Sequence, residues 1–230
     1  MLRNRNTKII ATLGPASSSP SKISSLFQAG ADIFRLNFSH GTHEDHRKKV
    51  FHIRQYEKRL GRPIAILGDL QGPKLRIGSF KDNSTVLKNS QKFTLDLNSF
   101  PGNNSRVFLP HPEIFKSIKK NKKLLIDDGK IILNVTKVSS EKIETEVVNG
   151  GRISNMKGVN IPETFLKLSP LTKKDLKDLE FCLDLSLDYV ALSFVQKAKD
   201  LIDLKNYVGD STGIMAKFEK PLAIKRMNEI

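Results

Sequence analysis

The stretch Gly213-Ile214-Met215-Ala216-Lys217-Phe218-Glu219 is typical of a short buried strand that carries two charges at its C-terminal tip. Side chains two residues apart on a strand point to the same face, so Lys217 and Glu219 share one face with Met215. Buried charges have to be paired, hydrogen-bonded or bound to a metal, which makes this tip a candidate site. From this stretch alone, a strand end whose charges simply reach water is an equally good interpretation.

Four other stretches have the pattern of strands. The apolar run at 7–13 predicts a strand buried on both faces. Residues 32–39 alternate, with Phe34, Leu36 and Phe38 on one face and increasingly polar residues on the other. Further strands are predicted at 63–69 and 189–195.

Helix signals separate these strands. Ser19 and Pro20 begin a helix that Gly30 ends, and Thr42 with Asp45 forms a capping-box pattern. The helix after Thr42 should bury Val50, Ile53 and Leu60. The helix after Thr172 should bury Leu176, Leu179 and Leu183. Further helices are predicted at 197–207 and 222–230. Strands that alternate with helices through short links indicate a parallel sheet with right-handed crossovers.

The character of the sequence changes between residues 75 and 161, where short alternating stretches are separated by turn residues. This pattern indicates an inserted all-β module. The predicted organisation is a first α/β part at 1–70, a β-rich part at 71–162 and a second α/β part at 163–230.

Composition narrows the class of protein. The 230 residues contain no apolar run of 18, and the N-terminus leads into no apolar signal region, so neither a membrane span nor a secretory signal is expected. The single Cys182 is expected in a helix core, and a cytoplasmic setting follows. A net charge of +15 fits nucleic acid, phosphorylated small molecules or biased codon usage; the dense lysine cluster at 116–123 has no RNA-binding aromatic signature and is interpreted as solvated surface.

Polar residues recur where the predicted strands end. In parallel α/β folds these C-terminal ends meet at one rim, where chemistry collects. Carboxylates suit a divalent metal, and Arg or Lys suits phosphoryl oxygens, so this rim favours stabilisation of a transferring phosphoryl group. Its members are Arg35, Asn37, Ser39, Asp69, Ser193, Lys217 and Glu219.

Eight segments carry a family signature in order: 7–17 (TKIIATLGPAS), 35–43 (RLNFSHGTH), 69–76 (DLQGPKLR), 127–129 (DDG), 157–162 (KGVNIP), 168–175 (LSPLTKKD), 190–195 (VALSFV) and 216–219 (AKFE). Along its whole length the chain resembles the pyruvate kinase family. The resemblance implies a (β/α)₈ barrel, of which about five of eight strands are present, with a mobile all-β domain inserted after the third strand. It implies phosphoryl transfer from phosphoenolpyruvate to ADP, which gives pyruvate and ATP.

The resemblance also implies roles for individual residues. Mg²⁺ or Mn²⁺ is the implied divalent cofactor, with Glu219 as a ligand, and Lys217 stabilises the transferring group and the enolate. Arg35 and Arg76 bind phosphoryl oxygens, Ser193 lies at the floor of the site, and His40, Lys157 and Asp128 face the nucleotide. A monovalent-cation site would be lined by Asn37, Ser39, Asp69 and the carbonyl of Leu70.

The chain departs from the family pattern at Leu70, Gln71 and Lys74, where a threonine, a lysine and a glutamate are usual. Because the Lys74 ammonium can supply the positive charge that K⁺ otherwise provides, activity of the complete enzyme is expected not to need K⁺. Lys220-Pro221 replaces the usual asparagine-containing turn and suits a helix start.

The sequence ends at Ile230, before the family's second Mg²⁺ carboxylate, its remaining barrel strands and its C-terminal domain. The chain alone is therefore expected to be an inactive piece of an enzyme that is a homotetramer in full-length members. Two alternatives are a non-catalytic remnant and, on charge alone, a nucleic-acid binder. No metal-ligand clustering accompanies the histidines His43, His46, His52 and His111, so these are interpreted as surface or helix-face residues.

Overall fold

The computed structural model describes residues 5–166 and 168–230. Its helices are α1 (Pro20–Ala29), α2 (His43–Leu60), α3 (Pro112–Ser117), α4 (Lys173–Asp184), α5 (Ala198–Val208) and α6 (Pro221–Lys225), with a 3₁₀ turn at Pro15–Ser17. Its strands are β1 (Ile10–Thr12), β2 (Ile33–Asn37), β3 (Ala65–Asp69), β4 (Ser84–Leu87), β5 (Lys92–Asp96), β6 (Arg106–Phe108), β7 (Lys123–Ile126), β8 (Ile131–Val138), β9 (Lys142–Asn149), β10 (Gly151–Ser154), β11 (Val159–Asn160), β12 (Tyr189–Leu192) and β13 (Gly213–Ala216).

The chain divides into two units. The first contains the described residues up to Gly72, together with Pro170–Glu219 and Asn228–Ile230. The second contains the described residues of Pro73–Ser169 and Lys220–Met227. The α/β class predicted from the sequence is confirmed.

The first unit is built on a parallel five-stranded sheet with the order β1-β2-β3-β12-β13. Helices separate successive strands, as the alternating sequence pattern predicted. Phe34 and Leu36 of β2 are fully buried, Phe38 beyond the strand is nearly so, and all three pack in one core with Ile23 and Phe27 of α1. The predicted alternation of β2 is therefore confirmed.

Local capping chemistry fixes where the helices begin. The Ser19 hydroxyl accepts a hydrogen bond from Lys22 N at the start of α1, and Gly30 ends that helix. Thr42 with Asp45 and Thr172 with Asp175 form reciprocal capping boxes at α2 and α4. Each reciprocal pair satisfies backbone donors that the first helical turn leaves open.

Two predictions about burial were wrong, and both concern the edges of the sheet. The predicted strand at 7–13 shortens to β1, where Ile10 is 41% exposed, and all four residues of β13 are only half-buried. Each of these strands has one neighbour in the described sheet, so one side lacks packing. β13 also ends at Ala216, so Lys217 and Glu219 follow the strand, and α6 ends at Lys225.

The predicted buried stripes of the helices hold only in part. Val50 and Ile53 of α2 are buried, but Leu60 is 41% exposed because it lies in the last turn of the helix. In α4 Leu179 is buried, whereas Leu176 and Leu183 are only partly covered. Cys182 is fully buried in the core of the first unit, as predicted.

The second unit is rich in β-structure, but it also contains the short helix α3, so the all-β prediction for residues 75–161 holds only in part. A six-stranded sheet has the order β11-β7-β8-β9-β5-β6, and β10 pairs with β4 in a separate two-stranded sheet. Pairing is antiparallel except between β5 and β6. This unit has its own core, which includes Phe93, Leu95, Leu124, Leu133 and Ile143.

Within the described residues, no helix combines the length and the apolar character that crossing a membrane requires.

Candidate functional site

Asp69 is the centre of a polar cluster at the C-terminal ends of the parallel strands. Its side chain is 4% exposed. Its Oδ2 accepts a hydrogen bond from Arg35 Nε at 2.7 Å, and Lys217 Nζ lies 3.2 Å and 3.3 Å from the two carboxylate oxygens. A buried carboxylate is thus paired with two cations, one from β2 and one from the residue that follows β13, as a buried charge requires.

The parallel register explains why these residues meet. Asn37 of β2 and Ala191 of β12 both lie opposite Asp69 of β3. Beyond β13, the backbone N–H of Lys217 donates to Leu192 O at 3.0 Å, which continues the ladder by one residue. The strand ends are therefore level, and the side chains that follow them project into one region.

Ser193 connects this cluster to the backbone after β3. It is 3% exposed, and its Oγ accepts a hydrogen bond from Lys217 Nζ at 2.9 Å while donating to Leu70 O at 2.8 Å. A hydroxyl has one proton, so the 3.5 Å approach of Oγ to Asp69 Oδ1 is proximity rather than a second donated bond. Ser193 thus links the Lys217 ammonium to the backbone carbonyl of Leu70.

Glu219 supplies a second carboxylate. Its Oε1 lies 3.3 Å from Lys217 Nζ, and its Oε2 accepts the backbone N–H of Phe194 at 2.9 Å. Phe194 has a left-handed conformation, with φ of 58°. The Glu219 side chain is 35% exposed, so lone pairs of both oxygens can reach a ligand.

The donor set accommodates Mg²⁺ only with help from a substrate. No group of three or more potential metal ligands occurs among the described residues. Mg²⁺ is commonly held by one or two carboxylates plus substrate phosphates, and Glu219 meets the lower limit of that requirement. The positive charges of Arg35 and Lys217 equal the negative charges of Asp69 and Glu219, so the cluster has no net formal charge. An anionic substrate would add negative charge, which a bound Mg²⁺ would neutralise.

Asn37, Asp69 and Leu70, three of the four residues predicted for a monovalent cation, already have partners for their oxygens. Asn37 Oδ1 accepts the backbone N–H of Ser39 at 3.0 Å, and Leu70 O accepts the Ser193 hydroxyl. The Asp69 carboxylate faces Arg35 and Lys217. A third positive charge at Asp69 does not fit this arrangement unless one of the two side chains moves.

A cavity of about 710 Å³ lies beside β1 and β2, in the same unit as the polar cluster. Asn37 and His40, both predicted site residues, contribute to its lining. Thr12 lines it as well, and the Thr12 hydroxyl accepts a hydrogen bond from Arg35 Nη1 at 2.8 Å. The cavity therefore adjoins the side chains that surround Asp69.

Sequence reasoning missed two residues of this cavity. Thr12 is the last residue of β1, directly before Leu13 and the Gly14 turn, and only its position at a strand end could have indicated a role. His46 is buried on the inner face of α2, so the surface interpretation is wrong for this residue and the helix-face interpretation holds. The signal was present, because His46 lies four and seven residues before the buried Val50 and Ile53.

His43 and His111 make contacts of a different kind. His43 Nε2 lies 2.7 Å from Asp178 Oδ1 while its ring stacks on Phe181, so it is anchored to α4. His111 Nε2 accepts the backbone N–H of Arg76 at 3.0 Å, and burial lowers the pKa of His111.

Four predicted site residues lie in the second unit, together with Asp127. The Arg76 guanidinium donates to Met156 O, and Lys157 Nζ lies 3.0 Å from Asp127 Oδ1. The hydrogen bond from Lys157 lowers the pKa of Asp127. Asp127 and the exposed Asp128 form the predicted turn between β7 and β8, both with positive φ. Lys74 belongs to this unit as well.

Comparison with known proteins identifies the family to which this sequence is similar. The sequence model described as pyruvate kinase, barrel domain, matches residues 4–230. Proteins named pyruvate kinase from Methylorubrum extorquens and Agrobacterium vitis are 49% and 50% identical over 230 and 228 residues, which cover 100% and 99% of this chain. One from Thermococcus litoralis is 35% identical over 232 residues.

The matches cover this chain almost completely but only part of each relative. The aligned regions make up 48% of the Methylorubrum extorquens and Agrobacterium vitis proteins and 49% of the Thermococcus litoralis protein. The chain therefore spans about half the length of the relatives it matches.

Proposed function

The chain belongs to the pyruvate kinase family, and on that premise we propose that it forms the phosphoryl-transfer half of an enzyme that converts phosphoenolpyruvate and ADP to pyruvate and ATP. The observation that carries this proposal is the cluster of Arg35, Asp69, Ser193 and Lys217 at neighbouring strand ends. We further propose that the parallel sheet is five strands of a (β/α)₈ barrel and that the second unit is the domain inserted after strand three. A cytoplasmic location goes with this proposal.

In the proposed reaction, an oxygen of the ADP β-phosphate attacks the phosphorus of phosphoenolpyruvate. The bond from phosphorus to the enol oxygen breaks, and the resulting enolate takes up a proton to become pyruvate. Arg35 binds equatorial phosphoryl oxygens, and Lys217 stabilises charge on the transferring group and on the enolate oxygen. Groups held in place before the reaction are the most effective at such stabilisation, because they need not reorganise.

Asp69 and Ser193 position Lys217 in this scheme. Asp69 also orients Arg35, so one carboxylate aligns both cations. Arg76, Lys157 and Asp128 of the second unit, together with His40, are proposed to contact phosphate or nucleotide. Glu219 would hold Mg²⁺, which when bound supplies positive charge beside the transferring phosphoryl group.

A chimera tests the proposal. This chain would replace the matching half of the Methylorubrum extorquens relative, and pyruvate formation would be followed with a coupled assay. We expect turnover in the chimera and a loss of about 10²-fold or more in kcat in Lys217→Met, because one preorganised donor is lost. Lys116→Met, in the surface lysine cluster, is the control and should retain activity.

The alternatives give different results. A chimera that folds and assembles yet shows no turnover would identify the chain as a non-catalytic remnant. Unchanged turnover in Lys217→Met would remove that residue from the proposed mechanism.

A further inference from the structure

His46 is a largely buried histidine in the lining of the 710 Å³ cavity. It lies in the first turn of α2 and is 2% exposed. Its Nε2 lies 3.0 Å from the carbonyl oxygen of His40, and its ring packs against Phe38 with 4.5 Å between ring centroids. The side chain therefore joins the helix to the turn that precedes it.

The hydrogen-bonding partner fixes the tautomer of His46. A carbonyl oxygen only accepts, so Nε2 carries the proton and donates to His40 O. Nδ1 is then an acceptor, and it is buried without a hydrogen-bond partner in the described part of the chain. A buried polar atom without a partner is unfavourable, so an apolar side chain would serve packing better. What histidine adds at this position is the bond to His40.

That bond holds a turn with a restricted conformation. Gly41 has φ of +80°, and a Cβ built on it would lie 3.6 Å from His46 Nε2. The backbone N–H of His40 donates to Asn37 O at 3.1 Å. His40, Gly41 and His46 all line the cavity, so the bond from the imidazole to His40 O holds a turn that forms part of the cavity lining.

We propose that neutral His46 is a positioning residue for nucleotide: it fixes the turn at 38–42 so that His40 and Gly41 shape the cavity for the base and ribose of a nucleoside diphosphate. The proposal rests on the proposed function for the identity of the ligand. The support of the turn by His46 does not depend on that identity.

The charges around His46 determine how the support depends on pH. Asp45 and Lys49 act on it from α2, and Asp178 acts on it from α4; Asp178 is itself paired with Lys174 and with His43. Burial, followed by Lys49, lowers the pKa of His46, while the His40 carbonyl, Asp178 and Asp45 act in the opposite direction.

Protonation would place an N–H at the buried Nδ1, which has no acceptor there. The pKa of His46 is depressed when its imidazole supports the turn at 38–42. This supported conformation is therefore favoured above the ordinary histidine pKa of 6.5 and is weakened as pH falls below it.

The test compares His46→Gln with His46→Leu in the 230-residue chain. Gln keeps an amide donor near the position of Nε2, whereas Leu fills a similar volume without a donor. ADP with Mg²⁺ is the probe, and its dissociation constant is measured by calorimetry between pH 5.5 and 7.5. Amide hydrogen exchange of residues 39–42 is measured without ligand.

We expect His46→Leu to weaken ADP binding about fivefold at pH 7.5 and to accelerate exchange at 39–42, as loss of one hydrogen bond implies. The dissociation constant of His46→Gln for ADP at pH 7.5 should stay within about twofold of the wild-type value. Wild-type affinity should fall toward pH 5.5 more steeply than that of His46→Gln. Ionisation of ADP is common to both proteins, so the difference between their profiles isolates His46.

Each outcome decides a different point. Equal affinities and equal exchange in all three proteins would overturn the role of His46. If His46→Leu does not fold, parallel pH profiles of wild type and His46→Gln overturn it. If wild type does not bind ADP, the proposed nucleotide function fails. The exchange of residues 39–42 then decides separately whether His46 supports the turn.

Discussion

Lys217 Nζ lies within 3.3 Å of both carboxylate oxygens of Asp69, although 148 residues of chain separate the two. Arg35 approaches the same carboxylate from β2. Asp69 therefore does more than provide an oxygen at the rim of the sheet. It sets the positions of the two cations to which we assign the phosphoryl group, and its removal should affect both together.

Replacing Asp69 with Asn should destabilise the first unit. Arg35 and Lys217 have side chains that are only 28% exposed, so they would lose a charged partner without gaining full hydration. We expect a loss of about 1–3 kcal/mol in the free energy of unfolding, measured by urea denaturation. Glu44→Gln is the control: it breaks an exposed pair with Lys48 and should cost less than about 0.5 kcal/mol. Equal losses in the two variants would contradict the role given to Asp69.

Activity of the chimera should not require K⁺. We propose that the Lys74 ammonium supplies the positive charge that K⁺ otherwise provides, and Asp69 already faces the two cations Arg35 and Lys217. We expect rates in potassium-free and potassium-containing buffer to agree within about twofold. Lys74→Glu removes that ammonium and restores the residue usual in the family, so it should create a K⁺ requirement. Strong K⁺ activation before that substitution is made would refute the prediction.

Gly68 cannot accept a larger side chain while Cys182 remains. A Cβ built on Gly68 would lie 2.7 Å from Cys182 Sγ and 3.1 Å from Leu187 Cδ2. Gly68→Ala should therefore cost about 1–3 kcal/mol of stability through overpacking. Combining it with Cys182→Ala should recover about 1 kcal/mol relative to the sum of the single changes, because the clashing sulfur is gone.

Gly14→Ala is the matched control for that cycle. Nothing lies within 4 Å of a Cβ built there, and the backbone at Gly14 is extended. Its effect on the urea midpoint should be small. Strict additivity of the Gly68 and Cys182 changes would show that the two side chains do not compete for space.

Cys182 should resist thiol reagents in the native protein. Burial raises the pKa of its thiol from 9.0 to about 12, so the thiolate is scarce at pH 8. Between these two values the unfolded chain loses the proton while the folded chain keeps it, so stability falls as pH rises above 9.0. Labelling with a chromogenic disulfide should be slow without urea and complete in urea. Rapid stoichiometric labelling of the native chain is the contrary result.

The features that the sequence predicted well are local. Thr42 and Thr172 cap their helices because the partners, Asp45 and Asp175, lie three residues away. The alternation around Phe34 and Leu36 correctly indicated a buried face, since that pattern depends only on strand geometry. Exposure of β1 and β13 was missed because it depends on which strands lie beside them, and an apolar run carries no such information.

The polar rim was predicted as a set of residue types, but its pairing was not. The contact between Arg35 and Asp69 requires the register of β2 on β3, and that of Lys217 requires β12 and β13 as well. Strand register across long separations is not encoded in periodicity. The engagement of Leu70 O by Ser193 likewise depends on tertiary placement, so the crowding of the predicted monovalent-cation site could not be foreseen.

The long segment between β3 and β12 also bears on how the chain folds. Contacts such as that of Ile66 N with Asp188 Oδ2 span 122 residues, so the parallel sheet would have to close a long loop in an otherwise unfolded chain. Within the second unit, however, Val159 N donates to Leu75 O and Ile77 N donates to Lys157 O, which brings the entering and leaving segments side by side. If the second unit forms first, the remaining loop is several times shorter, which lowers the entropy cost of closure by about 1 kcal/mol. The β-rich unit would then speed the assembly of the sheet that carries the candidate site.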